Sequence, residues 1–86
     1  MQRKRSREEL ITRTYLNQTE IGRLLCLHRD TAIRVYTIAR RLDDEELGDM
    51  VIEPRKARMT SVLKAAGISF ETLRKQIREI REVKGA

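Results

Sequence analysis

The chain has 86 residues and a net charge of +6, which suits one small domain near the lower limit of a self-sufficient core. One Phe, two Tyr and no Trp leave Leu, Ile, Val and Ala to fill that core, a set that favours helix packing and would gain from dimerisation. The single Cys excludes an internal disulfide and fits a reducing compartment. With no secretory leader pattern and no apolar run long enough to span a bilayer, a cytoplasmic protein is expected.

The charge is laid out in blocks. Residues 1–41 hold ten Lys/Arg against four Asp/Glu, residues 42–53 none against six, and residues 54–86 nine against three. Two basic blocks thus flank an acidic stretch, and a basic balance in a small helical domain is the footprint of a polyanion partner.

Residues 1–6 hold Arg3, Lys4 and Arg5 with almost nothing apolar, and read as a disordered arm that lies along DNA phosphates or enters a minor groove. Ser6 with Glu9 is a capping-box pair and predicts a first helix of about Arg7 to Tyr15, with Leu10, Ile11, Thr14 and Tyr15 on its inner face.

Asn17 with Glu20 is a second capping-box pair, and Leu16 with Ile21 has the spacing of a hydrophobic staple, so a helix should start here. It should end near Cys26-Leu27. Behind His28 as cap, Ala32, Val35, Ala39 and Leu42 form the apolar stripe of a second helix. Two helices joined by so short a turn, with small Gly22 where they cross, describe a helix-turn-helix. The residues QTEIGRLLCLHRDTAIRV resemble the bihelical unit of phage-type repressors and excisionase-like regulators. Gly22 stands at that family's small position, and Ile21, Leu25, Leu27, Ala32 and Val35 stand at its apolar ones. Two residues depart from the pattern. Cys26 replaces the usual turn Gly, and His28 the usual Ser or Thr cap.

The resemblance implies that the second helix reads DNA with the N-terminal half of its outer face. Arg29, Asp30, Ile33 and Arg34 are the expected base-reading set, opposite the Ala32/Val35/Ala39 stripe. Each Arg can fork onto guanine O6 and N7, and Asp30 can accept from a cytosine amino group or orient Arg34. An alternative for Asp30 is a favourable charge in the first helical turn, paired with Arg34. Gln18, Thr19, Arg23, His28 and Thr31 are expected at phosphates, where contacts position a protein without reading sequence.

Asp43-Asp-Glu-Glu46 would oppose the dipole of a helix ending there, so a break near Leu42 is expected and the acids form a hinge. The alternative is a helix that runs on to Gly48. Met50–Glu53 is strand-like and, with Arg55, Lys56 and Arg58 after it, fits a minimal β-wing near residues 50–58 whose cations meet the backbone. A loop leading to a helix with Pro54 in its first turn fits equally. Residues 59–83 then repeat the first motif at an offset of 41, with Thr60, Val62, Lys64, Gly67, Ser69, Glu71 and Thr72 on Thr19, Ile21, Arg23, Cys26, His28, Asp30 and Thr31. Leu63 replaces the small crossing residue and Phe70 replaces Arg29. The repeat reads as a helical hairpin packed on the first, or as a degenerate second helix-turn-helix. Phe70, Leu73, Ile77 and Ile80 form a stripe that either seals a dimer seam or closes the chain's own core.

Catalytic chemistry is not expected. One His and one Cys furnish neither a nucleophile–base constellation nor a closed zinc site, Cys26 reads as a buried turn residue, and there is no glycine-rich phosphate loop. No cofactor, metal, membrane or small-molecule substrate is foreseen. The expected fold is mainly α, a helix-turn-helix bundle of four to five helices. Its organisation is an arm at 1–6, a core at 7–48, a hinge or wing at 49–58 and a C-terminal hairpin at 59–86 within the same domain. The expected function is sequence-specific binding of double-stranded DNA, as a homodimer, by a regulator or recombination directionality factor of a phage or mobile element in a bacterial host, associated with the nucleoid. Alternatives are a protein-interaction module, such as a phage-encoded inhibitor, and the DNA-recognition subunit of a terminase or replication complex.

Overall fold

A computed structural model describes the backbone of residues 6–85 and the side chains of residues 6–79. Arg3, Lys4 and Arg5 of the arm, and the Ile80 side chain, lie outside the described residues. The fold is mainly helical with one small sheet. In chain order it comprises α1 (Arg7–Leu10), β1 (Tyr15–Leu16), α2 (Gln18–Leu25), α3 (Arg29–Leu47), a 3-10 turn (Gly48–Met50), β2 (Ala57–Arg58), α4 (Met59–Ala66) and α5 (Phe70–Gly85). The core gathers Leu10, Leu16, Ile21, Leu24, Val35 and Ala39 from the first half with Ala57, Met59, Val62, Leu63, Leu73 and Ile77 from the second. Neither half encloses a core alone. No helix among the described residues is long and apolar enough to cross a membrane.

The Ser6 cap is present, its hydroxyl accepting from Glu9 N–H at 3.2 Å, but α1 ends at Leu10 rather than Tyr15. Thr12 and Thr14 are stiff at χ1 and favour extended backbone. Thr12 Oγ1 donates to Glu9 O at 2.7 Å and so satisfies a carbonyl of the ending helix. Beyond it Tyr15 and Leu16 pair antiparallel with Arg58 and Ala57, and Thr14 O accepts from Met59 N–H at 2.8 Å. A partner strand distant in sequence overrides the local helix signal.

The minimal β element expected near residues 50–58 is present as β2, but its strand is Ala57–Arg58 and its partner is β1. Met50–Glu53 forms no strand, and α4 begins at Met59 with Pro54 outside it. Residues 53–56 turn instead, with Pro54 at the second position and Lys56 N–H donating to Glu53 O at 3.2 Å, so pairing starts only at Ala57 and is made with the segment before α2. No free-standing hairpin results. Arg55 is exposed and Lys56 half-buried, while their carbonyls accept from Tyr36 OH at 2.9 Å and an Arg40 guanidinium N–H at 3.3 Å. The loop is strapped to α3.

The break expected near Leu42 is absent, for α3 continues to Leu47 and ends at Gly48 with φ +55°. Three of the four acids that would oppose its dipole, Asp43, Asp44 and Glu46, are matched by cations. Asp43 is 1% exposed and accepts from Arg58 N–H at 2.9 Å, from Arg58 Nε–H at 2.8 Å and from the Ser61 hydroxyl. Arg40 pairs with Asp44 at 2.7 Å and lies 3.6 Å from Asp43, and Arg58 reaches Glu46 at 2.8 Å. Burial pushes the Asp43 carboxyl up, but the Ser61 and Arg58 donors outweigh it and hold its pKa below the usual value. Those bonds to Asp43, against the cost of its own desolvation, raise the Arg58 pKa. What reads as an acidic hinge is a clamp between α3, β2 and α4, and it removes Arg58 from the set free to meet DNA.

Candidate nucleic-acid interface

The α2–α3 pair is built as its residue types require. Asn17 Oδ1 accepts from Glu20 N–H at 2.8 Å, and Asn17 N–H donates back to Glu20 Oε1 at 2.9 Å, a complete capping box. Leu16 and Ile21 on either side are fully buried. Cys26 closes α2 in the left-handed region at φ +55°, a conformation that costs a residue with a Cβ roughly 1–2 kcal/mol. It is exposed, not buried as its small apolar character suggests, because the αL turn directs it outward at the end of the helix. Leu27 N–H donates to Gly22 O at 2.9 Å and completes the turn. Arg7 Nε–H donates to Leu24 O at 2.8 Å, placing a cation at the negative end of α2. Sequence reading missed that role, although a lone Arg at the start of α1 was visible.

His28 caps α3, with Nδ1 accepting from Asp30 N–H at 3.5 Å. An accepting Nδ1 on a neutral ring puts the proton on Nε2, where it can donate outward. Gly22 keeps the helix crossing close. A Cβ there would sit 3.2 Å from Ala32 Cβ, so that α3 would have to give by a few tenths of an ångström, and 3.5 Å from Leu27 O, an ordinary contact; a side chain longer than Ala's would force the helices apart.

Along α3 the buried stripe is Ala32, Val35, Ala39 and Asp43. At about 100° per residue the opposite line is Asp30, Arg34, Thr37 and Arg41, and all four are exposed. Arg29 and Ile33 fall on the flank between these lines. They line an open groove of about 560 Å³ with Gln18, Thr19, Gly22, Arg23, Leu27 and Ala32. The structure therefore divides the expected base-reading set. Arg29 and Ile33 face the groove with the expected phosphate residues of α2, whereas Asp30 and Arg34 stand on the outer face of α3. Thr31 is exposed beside them.

The groove carries Arg23 and Arg29 and no acidic residue. Among the described residues Arg23, Arg29 and Arg34 form no ion pair, and the Arg34–Asp30 pair weighed as the alternative to base reading is not made, while Arg40 and Arg58 are engaged with carboxylates. No cluster of potential metal ligands occurs among the described residues. In comparisons with family models, curated proteins and solved structures, the chain matches none.

Proposed function

We propose that this chain binds double-stranded DNA sequence-specifically, with the N-terminal half of α3 in the major groove and the N-terminus of α2 against the flanking phosphates. One observation carries the reading. The groove between α2 and α3 carries Arg23 and Arg29 and no acid, and neither they nor Arg34 has an ion-pair partner among the described residues, whereas Arg40 and Arg58 are spent on carboxylates. Arg29 and Arg34 are the base readers, forks suited to guanine O6 and N7. Ile33 between them is an apolar contact for a thymine methyl. Gln18, Thr19, Arg23, Thr31 and the His28 Nε2–H hold phosphates and set the register. A chain of this kind acts by occupancy, as a transcriptional regulator or recombination directionality factor of a phage or mobile element. Dimerisation through the α5 stripe is not part of the reading, because Leu73 and Ile77 are already 1% and 7% exposed in the chain's own core.

Selection from a random duplex pool, followed by affinities for the selected and a scrambled duplex, tests this. Arg34→Ala and Arg29→Ala should each reduce the preference by about 1–3 kcal/mol, and Arg23→Ala should weaken both duplexes alike. A pool that yields no consensus, with affinity that vanishes as salt rises, makes the charge generic and directs attention to an acidic protein partner.

A second reading, DNA recognition within a larger assembly, draws on the loop after α3. Met50 and Ile52 are 75% and 77% exposed, beside Asp49 and Glu53, which DNA repels. An apolar tip with that surround suits a protein contact. Under this reading Met50→Ser with Ile52→Ser leaves DNA affinity intact and abolishes assembly.

A further inference from the structure

The chain is built twice. Helix α2 and helix α4, the left-handed residues Cys26 and Gly67, and the first residues of α3 and α5 are each 41 positions apart. So are Arg7 and Gly48, where the short helical turns upstream of each strand begin. Equivalent hydrogen bonds close the two turns, Leu27 N–H to Gly22 O at 2.9 Å and Ile68 N–H to Leu63 O at 3.1 Å. Leu16 and Ala57, again 41 apart, face each other in the antiparallel ladder. Directly opposed residues of an antiparallel pair are related by a dyad perpendicular to the strands, so a local two-fold axis runs through this pair of equivalent residues. Asn17 and Arg58, the next equivalent residues, are both extended caps, and the dyad extends to the starts of α2 and α4.

Symmetric helix-turn-helix dimers use such an axis to place two helices on one duplex. We propose that the α4–α5 pair is a second DNA-contacting surface of the same chain, gripping the backbone through Lys64 and Lys75 while α2–α3 reads bases. This rests on the DNA reading above. Lys64 stands in Arg23's place and Lys75 in Arg34's, and both are exposed. Arg74 adds a cation in Ile33's place, and Phe70 removes the one at Arg29's. Charge is thus kept where phosphate would lie, while the forks at the places of Arg29 and Arg34 are gone and the one at Arg74 stands where the first hairpin has apolar Ile33. An ammonium is a point charge that cannot fork onto a guanine edge but serves a phosphate well. The Lys75–Glu79 pair, 4.0 Å apart with both groups exposed, is weak enough to yield to a phosphate. One chain then spans two stretches of duplex, reading the first and holding the second.

The test is a salt titration of wild type, Lys64→Ala/Lys75→Ala and Lys64→Arg/Lys75→Arg on a pool-selected duplex and a scrambled one. The alanine double variant should lose affinity for both duplexes by the same factor. Its slope of log K against log salt should shrink by about two, its preference should stay unchanged, and the arginine variant should restore the slope. Wild type that prefers its selected duplex, with an alanine variant indistinguishable in affinity and slope, overturns this inference alone. Wild type that binds neither duplex overturns the DNA reading and this inference together.

Discussion

The two helical hairpins share a backbone plan and differ in nearly every side chain that matters to it. In the first, Gly22 meets Ala32 at the crossing; in the second the same positions are Leu63 and Leu73, both buried. The first turn forces Cys26 into the left-handed region, and the second gives that conformation to Gly67 at φ +70°. On the outside, arginines give way to lysines and Phe70, which is 44% exposed. The second hairpin is thus the more comfortable one, with a relaxed turn and larger apolar side chains. The first accepts strain and a thin crossing, and it holds Arg23, Arg29 and Arg34. Departures from local comfort tend to concentrate where function is carried.

The largest effect should come from separating the halves. Asp43 on α3 holds Arg58 and Ser61, and Asp43→Ala removes the acceptor of the Arg58 N–H, the Arg58 Nε–H and the Ser61 hydroxyl, leaving Glu46 as the guanidinium's carboxylate partner, an expected loss of about 3 kcal/mol measurable by urea unfolding. Asp43 also sets an acid limb. Its folded pKa is depressed, so the unfolded chain takes up its proton first as pH falls. The stability it contributes is whole above about pH 5 and is lost as pH drops through the usual carboxylate value of about 3.9 toward the depressed one. Asp43→Asn should flatten that limb in melts recorded from pH 6 to pH 2, and an unchanged limb would remove Asp43 as its source.

Grafting the second crossing onto the first comes next. Gly22→Leu should cost about 1–3 kcal/mol by overpacking and should widen the groove enough to abolish DNA preference even where the fold survives. The smallest effects belong to the turns. Cys26→Gly should stabilise by about 1 kcal/mol and Gly67→Ala should destabilise by a similar amount. In a domain of this size these are melting shifts of about 4–8 °C in opposite directions. Equal shifts of one sign would mean that the two turns are not equivalent.

Helix starts were legible in the sequence because they are written locally, in Asn17/Glu20, in His28 and in Ser69, whose hydroxyl accepts from Thr72 N–H at 3.1 Å. The offset of 41 was legible too, and the structure follows it element by element. The misses share a cause. Tyr15 and Leu16 leave the helix for a strand far along the chain, and the acids of α3 stay helical because Arg58 and Ser61 wait 15 and 18 residues away. A local window contains neither partner. Asp43 did leave a trace, as it continues the Ala32, Val35, Ala39 spacing into the core, where an acid must be paired. The site residues were legible as one exposed set, but helical rotation divides them. Arg29 and Ile33 turn toward α2, and Arg34 does not.

The most direct test of base reading by α3 replaces the guanines of the selected duplex, one at a time, with 7-deazaguanine, which lacks the N7 acceptor. Affinities are then compared for wild type, Arg29→Ala and Arg34→Ala. If α3 reads bases, the replacement weakens wild type by about 1–3 kcal/mol at one or two guanines, and the penalty vanishes for the variant whose arginine reads that base. A wild type indifferent at every guanine, or a penalty that persists in both variants, would contradict base reading by α3.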